Sequence, residues 1–288
     1  MPYIYLIISV FMSASSSVFG KVYNERTEGK NDATIFYNFL FIISACVCWA
    51  ILYAFNFSFE VDVLWYSIIF ATCYIVFSIG SINALKHGPA SLTALLICLS
   101  LLVTTIWGFI FWDSKLTIYV VVGLIFVVCS IVLCLYTKDK ENKMISWKWI
   151  FYVALAFFGN AGCAIVQRTQ QLQHNGQHAN MFMLFAMIFS VTIYLIIYLR
   201  SNSEDSLVLL KKSWWGPVCA GACNVVLNLF AMLMVSTNLS PSLIYPVIGA
   251  GGLSVVTIFS LFVFKEKMRW WQWLGIIIGA IAVVLLSM

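Results

Sequence analysis

The chain has 288 residues, 62% of them apolar and 9% charged, with a formal net charge of +5. Soluble domains carry roughly 25% charged residues, so a fold in water would expose far more apolar side chain than its interior could hide. The composition fits the bilayer as solvent, and so small a positive balance implies no nucleic-acid partner.

A helix crosses the hydrocarbon core with about 20 mostly apolar residues. Uncharged runs of that order follow one another: Pro2–Gly20, Ala33–Phe59, Val63–Leu85, Gly88–Trp112, Leu116–Thr137, Trp149–Gln167, Ala179–Leu199, Ser213–Phe264 and Trp270–Met288. The first has no basic residue before it and no cleavage signal, and reads as a retained helix. Ser213–Phe264 is too long for one crossing and carries a turn signal, STNLSPS, at Ser236–Ser242. Dividing it there predicts an all-α integral membrane protein with ten transmembrane helices and short loops. If the loops alternate sides, all but Lys115 and Arg168 of the 16 Lys and Arg residues fall on one side. The positive-inside rule makes that side cytoplasmic and puts both termini outside. Lys21, Lys86 and Arg168 stand at span ends, where long side chains reach the headgroups.

The nine cysteines all lie within spans. CVC at Cys46 and CAGAC at Cys219 have no histidine or acid nearby, so they read as small packing residues, with no metal or other cofactor expected. His87, His174 and His178 lie near loops, and no nucleophile with an acid–base partner appears, which argues against an enzyme.

The chain repeats itself. The stretch 86–135 returns without a gap as 238–287, pairing Pro89 with Pro241, Thr105 with Thr257, Lys115 with Lys267 and Gly123 with Gly275. Upstream, Tyr5 pairs with Tyr152, Ala14 with Ala161, Lys21 with Arg168, Phe36 with Phe182 and Ser44 with Ser190. The units are 1–140 and 141–288. Five is odd, so the second unit stands upside down relative to the first, the architecture of many secondary transporters.

Ten helices in two five-helix halves, each with a proline, an apolar run, a short charged turn and a glycine-bearing last helix, resemble the drug/metabolite transporter superfamily and its EamA-like permeases. The most specific match is YPVIGAGGLSVVTIFSLFVFKEKMRWWQWLGIIIGAIAVVLL, Tyr245–Leu286, with Glu266 closing the penultimate helix and Gly275 and Gly279 in the last. The first half departs from this pattern, with Ser114 at the counterpart of Glu266. The resemblance implies a basket-like fold with a central cavity, alternating access and a bacterial plasma membrane. The small multidrug members carry a glutamate in their first helix, where this chain has Ser13 and Ser15–Ser17.

Polar side chains at lipid depth tend to face the interior. Asn160 and Gln167 share one face of the sixth span, and their repeat counterparts are Ser13 and Gly20, with Ser16 and Ser17 beside them. Asn224 and Asn228 share a face of the eighth span, Thr72 and Tyr74 lie at matching depth in the third, Ser100 and Ser254 are near the centres of the fourth and ninth, and Thr93 and Tyr245 are near their ends. The candidate substrate-binding set is Ser13, Ser17, Thr72, Tyr74, Asn160, Gln167, Asn224, Asn228 and Tyr245. SASSS at Ser13–Ser17, GNAGC at Gly159–Cys163 and GAGG at Gly249–Gly252 are small-residue patches suited to close helix contact. Pro241 and Pro89 suit helix starts, and Pro246 suits a kink.

No charged residue is expected deep in a span. A cavity of amides and hydroxyls fits small neutral or zwitterionic metabolites such as amino acids. The alternative is export of drugs or lipophilic cations, held by aromatic faces. The expected partners are a small-molecule substrate and the bilayer, and a homodimer stays open.

Overall fold

The computed structural model describes residues 2–27, 33–87, 90–112, 117–135, 146–200, 213–234, 241–263 and 270–286. Among these, every regular element is an α-helix: α1 (Pro2–Arg26), α2 (Ala33–Phe55), α3 (Val61–His87), α4 (Ala90–Leu99), α5 (Leu101–Phe111), α6 (Ile118–Leu135), α7 (Trp147–Gln173), α8 (Ala179–Arg200), α9 (Trp215–Leu233), α10 (Pro241–Val263) and α11 (Trp270–Leu286). Only a helix satisfies its own backbone in hydrocarbon, and these sequences are apolar for most of their length. Six helices, α1, α2, α3, α7, α8 and α9, are long and apolar enough to cross a membrane. Apolar segments at Leu96–Phe111, Ile118–Leu133, Val247–Val256 and Trp273–Ala282 are shorter. Pro241 opens α10 as expected, and α10 continues through Pro246 without a break.

Neighbours repeat across the two halves. α1 lies against α9 as α7 lies against α3, and α1 meets α10 as α7 meets α4 and α5. α2 meets α9 as α8 meets α3, while α2 pairs with α8 and α6 with α11. Under the sequence pairing of the halves, each of these contacts maps onto another or onto itself. The repeat read in the sequence is therefore a spatial one.

Small residues and hydroxyls make these contacts close. A Cβ on Gly159 would lie 2.6 Å from the Phe77 backbone nitrogen, and one on Gly80 would lie 2.6 Å from that of Ala156, so α3 and α7 touch backbone to backbone. Ser16 Oγ donates to the Ala220 carbonyl at 3.1 Å, Ser44 Oγ to Val218 at 2.8 Å, Ser67 Oγ to Phe182 at 2.9 Å and Ser130 Oγ to Gly275 at 2.7 Å. Each ties a helix of one half to a helix of the other.

The run Gly88–Trp112 is divided between α4 and α5 at Ser100. The φ of −58° and ψ of −26° at Ser100 stay helical and its N–H still donates to the Leu96 carbonyl at 3.2 Å, so the helical path carries on through it. There the Ile97 carbonyl accepts from Ser100 N at 3.2 Å, from Ser100 Oγ at 2.6 Å and from Asn160 Nδ2 at 3.4 Å, while Asn160 Nδ2 also donates to Ser100 Oγ at 2.8 Å. The carboxamide of α7 thus bonds polar groups at this turn. The matching position in the second half is Gly252, inside α10. Facing it is Ser13, the counterpart of Asn160, whose Oγ would lie 2.8 Å from a Cβ at Gly252.

Arg168 corrects the expectation that charge stays at span ends. It is 2% exposed, on a stretch where Gln167, Gln170 and Gln171 are also buried. α7 does not stop at the first charge but runs on to Gln173, so the guanidinium is carried inside the packed helices and cannot reach outward. Gln170 Nε2 donates to the Gln177 carbonyl at 3.3 Å, which closes the α7–α8 turn over this segment.

Candidate functional site

A cavity of about 190 Å³ lies between α3, α7, α8 and α9. One wall is built of carboxamides. Asn160 and Gln167 stand two turns apart on α7, and Asn224 and Asn228 one turn apart on α9, so each pair presents one face. Gln167 Nε2 donates to Asn228 Oδ1 at 3.0 Å, and Asn228 Nδ2 donates to Asn224 Oδ1 at 3.0 Å and to the Asn224 carbonyl at 2.8 Å. This chain fixes the amide orientations across the gap between α7 and α9. It leaves lone pairs and N–H groups of unlike polarity side by side, which suits a ligand that both donates and accepts.

The opposite wall is soft and apolar. Phe70, Tyr74 and Phe77 of α3 face Met183 and Met187 of α8, and Leu227, Cys163 and Ala164 complete the lining. Among the described residues, no Asp, Glu, Lys, Arg or His lines the cavity. The described cysteines are free thiols, and among the described residues no group of three His, Cys, Asp or Glu side chains is placed to hold a metal.

Of the candidate residues, Tyr74, Asn160, Gln167, Asn224 and Asn228 meet in this cavity. Three do not. Thr72 is exposed and donates to its own helix at the Ile68 carbonyl, 2.9 Å away; it stands about 200° round the axis from Tyr74. Ser17 is likewise exposed and donates to Ser13 O at 3.0 Å. Ser13 sits in the α1–α10 contact against Gly252. A hydroxyl finds a satisfying acceptor one turn back, so its polarity does not oblige it to face the interior. The Tyr245 side chain and Glu266 lie outside the described residues. Thr93 accepts from the Trp149 indole at 2.9 Å and bridges α4 to α7, away from the cavity. The apolar wall was not distinguished in the sequence, because Phe and Met at helical spacing mark every packed face of this chain.

A second polar cluster caps the same end of α3 and α7. Glu60 Oε2 lies 3.3 Å from His174 Nδ1 and 2.9 Å from His178 Nε2. The turn between the imidazoles places Asn175, Gly176 and His178 at positive φ, a left-handed path that brings both rings to one carboxylate. The sequence shows these histidines near a loop but does not pair them with Glu60.

Comparison with known proteins bears on the fold. A solved structure titled only "Crystal structure of protein" shares 11% sequence identity with the chain and superposes with a TM-score of 0.74, covering 99% of this chain and 98% of the other. No curated protein matches the chain. The model of the EamA-like transporter family matches residues 1–136 and again 147–288, one match for each half. With its helices apolar enough to cross a membrane, its paired halves and this double match, the chain is a multi-pass membrane protein and belongs to the EamA-like transporter family.

Proposed function

We propose that the protein is a secondary transporter of small neutral or zwitterionic metabolites such as amino acids, working by alternating access of two inverted five-span repeats. The observation that carries this reading is the cavity wall of Asn160, Gln167, Asn224 and Asn228, with no charged side chain among the described lining residues. Amides pair with amines, carboxyls, hydroxyls and other amides alike, whereas a permanent ionic substrate would leave its charge uncompensated there. Size points the same way, since drug-sized ligands occupy about 300–1,000 Å³. A second reading, export of drugs or lipophilic cations, is favoured by the faces of Phe70, Tyr74 and Phe77 on the same cavity. The described lining, which holds no carboxylate, weighs against it.

A ligand screen by thermal unfolding of the detergent-purified protein tests this. A ligand that binds only the folded state adds about 2.7 kcal/mol at 100 times its dissociation constant. Stabilisation by neutral amino acids or nucleosides is expected, followed by counterflow of the same compounds in proteoliposomes. Stabilisation by lipophilic cations alone would replace the first reading by the second. The lysine and arginine bias supports a cytoplasmic side for the basic loops, so a tag on either terminus is expected to be labelled from outside an intact cell. Labelling only after permeabilisation would reverse this orientation.

A further inference from the structure

At the end of the α3–α7 seam the two helices part and leave a groove of about 480 Å³, lined by Asp62, Trp65, Tyr66 and Ile69 of α3 and by Gln173 and His174 of α7. Its back wall is held in place: the Tyr66 hydroxyl donates to Gln173 Oε1, the Tyr66 and His174 rings meet edge to face at 5.9 Å, and His174 is fixed by Glu60. Its open wall is unused. Asp62 is exposed and makes no ion pair among the described residues, Trp65 is 65% exposed and Ile69 48%. These side chains descend α3 in order of polarity. Ile69 lies about 10 Å below Asp62 at the rise of an α-helix, with the indole and phenol between. Carboxylate above, amphipathic rings at the middle and an aliphatic chain below match the boundary between headgroups and hydrocarbon, where Trp and Tyr concentrate.

We propose that this groove binds a membrane lipid with an ammonium headgroup. The ammonium would sit between the Asp62 carboxylate and the Trp65 ring, and an acyl chain would run down past Ile69. An ammonium over an aromatic face beside a carboxylate is favourable on both counts. Among the described residues no lysine or arginine lines the groove, so an anionic headgroup gains nothing from them. The groove opens on the exposed apolar side of a membrane-crossing helix, which selects a ligand arriving from the bilayer.

The test is lipid retention by the intact protein in native mass spectrometry, with phosphatidylethanolamine and phosphatidylglycerol of equal chain length offered together. One phosphatidylethanolamine is expected to be retained in preference. Asp62→Asn and Trp65→Leu are each expected to cut that retention about five-fold, with phosphatidylglycerol unchanged. Trp273→Leu, at an indole on α11 that is 48% exposed, should alter neither. Equal retention of the two lipids by the unaltered protein, or no change in both groove variants, would overturn the proposal. Displacement by free choline would overturn the assignment to a lipid in favour of a water-borne ammonium. If Asp62→Asn does not fold, judged by its lipid-free unfolding temperature, Trp65→Leu decides alone.

Discussion

Gly159→Ala is expected to destabilise the protein by about 3 kcal/mol or more, the upper end of overpacking costs. The added carbon would meet the Phe77 backbone nitrogen at 2.6 Å, Phe77 Cα at 2.8 Å and the Cys73 carbonyl at 2.9 Å. None of these atoms belongs to a side chain that can swing aside, so α3 itself must move. Gly80→Ala makes the same demand from the other helix, at 2.6 Å from the Ala156 nitrogen and 2.8 Å from the Tyr152 carbonyl. One displacement of α3 relieves both clashes, so the double variant should lose less than the sum of the two. Gly176→Ala supplies the contrast. No atom lies within 4 Å of its Cβ position, and its φ of +76° alone sets a cost of about 1–2 kcal/mol. Thermal unfolding of the four variants checks this, and an unchanged midpoint for Gly159→Ala would show that the two backbones do not touch.

Asn228→Leu is expected to reduce transport about 100-fold while the protein still folds. A site built to hydrogen-bond its ligand discriminates strongly when one partner is lost. Asn228 is the middle of the amide chain, accepting from Gln167 and donating to Asn224. Leucine keeps the volume and removes both functions. Stability should fall by only about 0.6 kcal/mol per bond, the usual worth of such contacts between membrane helices. Counterflow in proteoliposomes, with the unfolding temperature as control, separates the two effects. Undiminished transport by a folded Asn228→Leu protein would remove the amide wall from the substrate path.

What was legible in the sequence follows from the cost of polarity in lipid. Carboxamides cannot satisfy themselves on their own helix as completely as hydroxyls do. The spacing of Asn160 with Gln167 and of Asn224 with Asn228 therefore pointed to a common interior, whereas Ser17 and Thr72 are satisfied one turn back. The depth of Arg168 is not legible in the sequence, because an uncharged run need not end where its helix ends, and α7 continues past it to Gln173. The bond from Asn160 to Ser100 has no local mark: it joins residues 60 apart in sequence and so belongs to tertiary structure.

The pairing of Ser100 with Gly252 has an energetic meaning for a protein made of two like halves. At Ser100 the Asn160 carboxamide bonds both the serine hydroxyl and the Ile97 carbonyl. At the equivalent place Ser13 stands against Gly252, which has no side chain to bond. The halves are therefore alike in outline and unlike in polarity: the α4–α7 seam carries hydrogen bonds worth roughly 0.5–1.5 kcal/mol each, where the α1–α10 seam carries the close approach that a glycine permits.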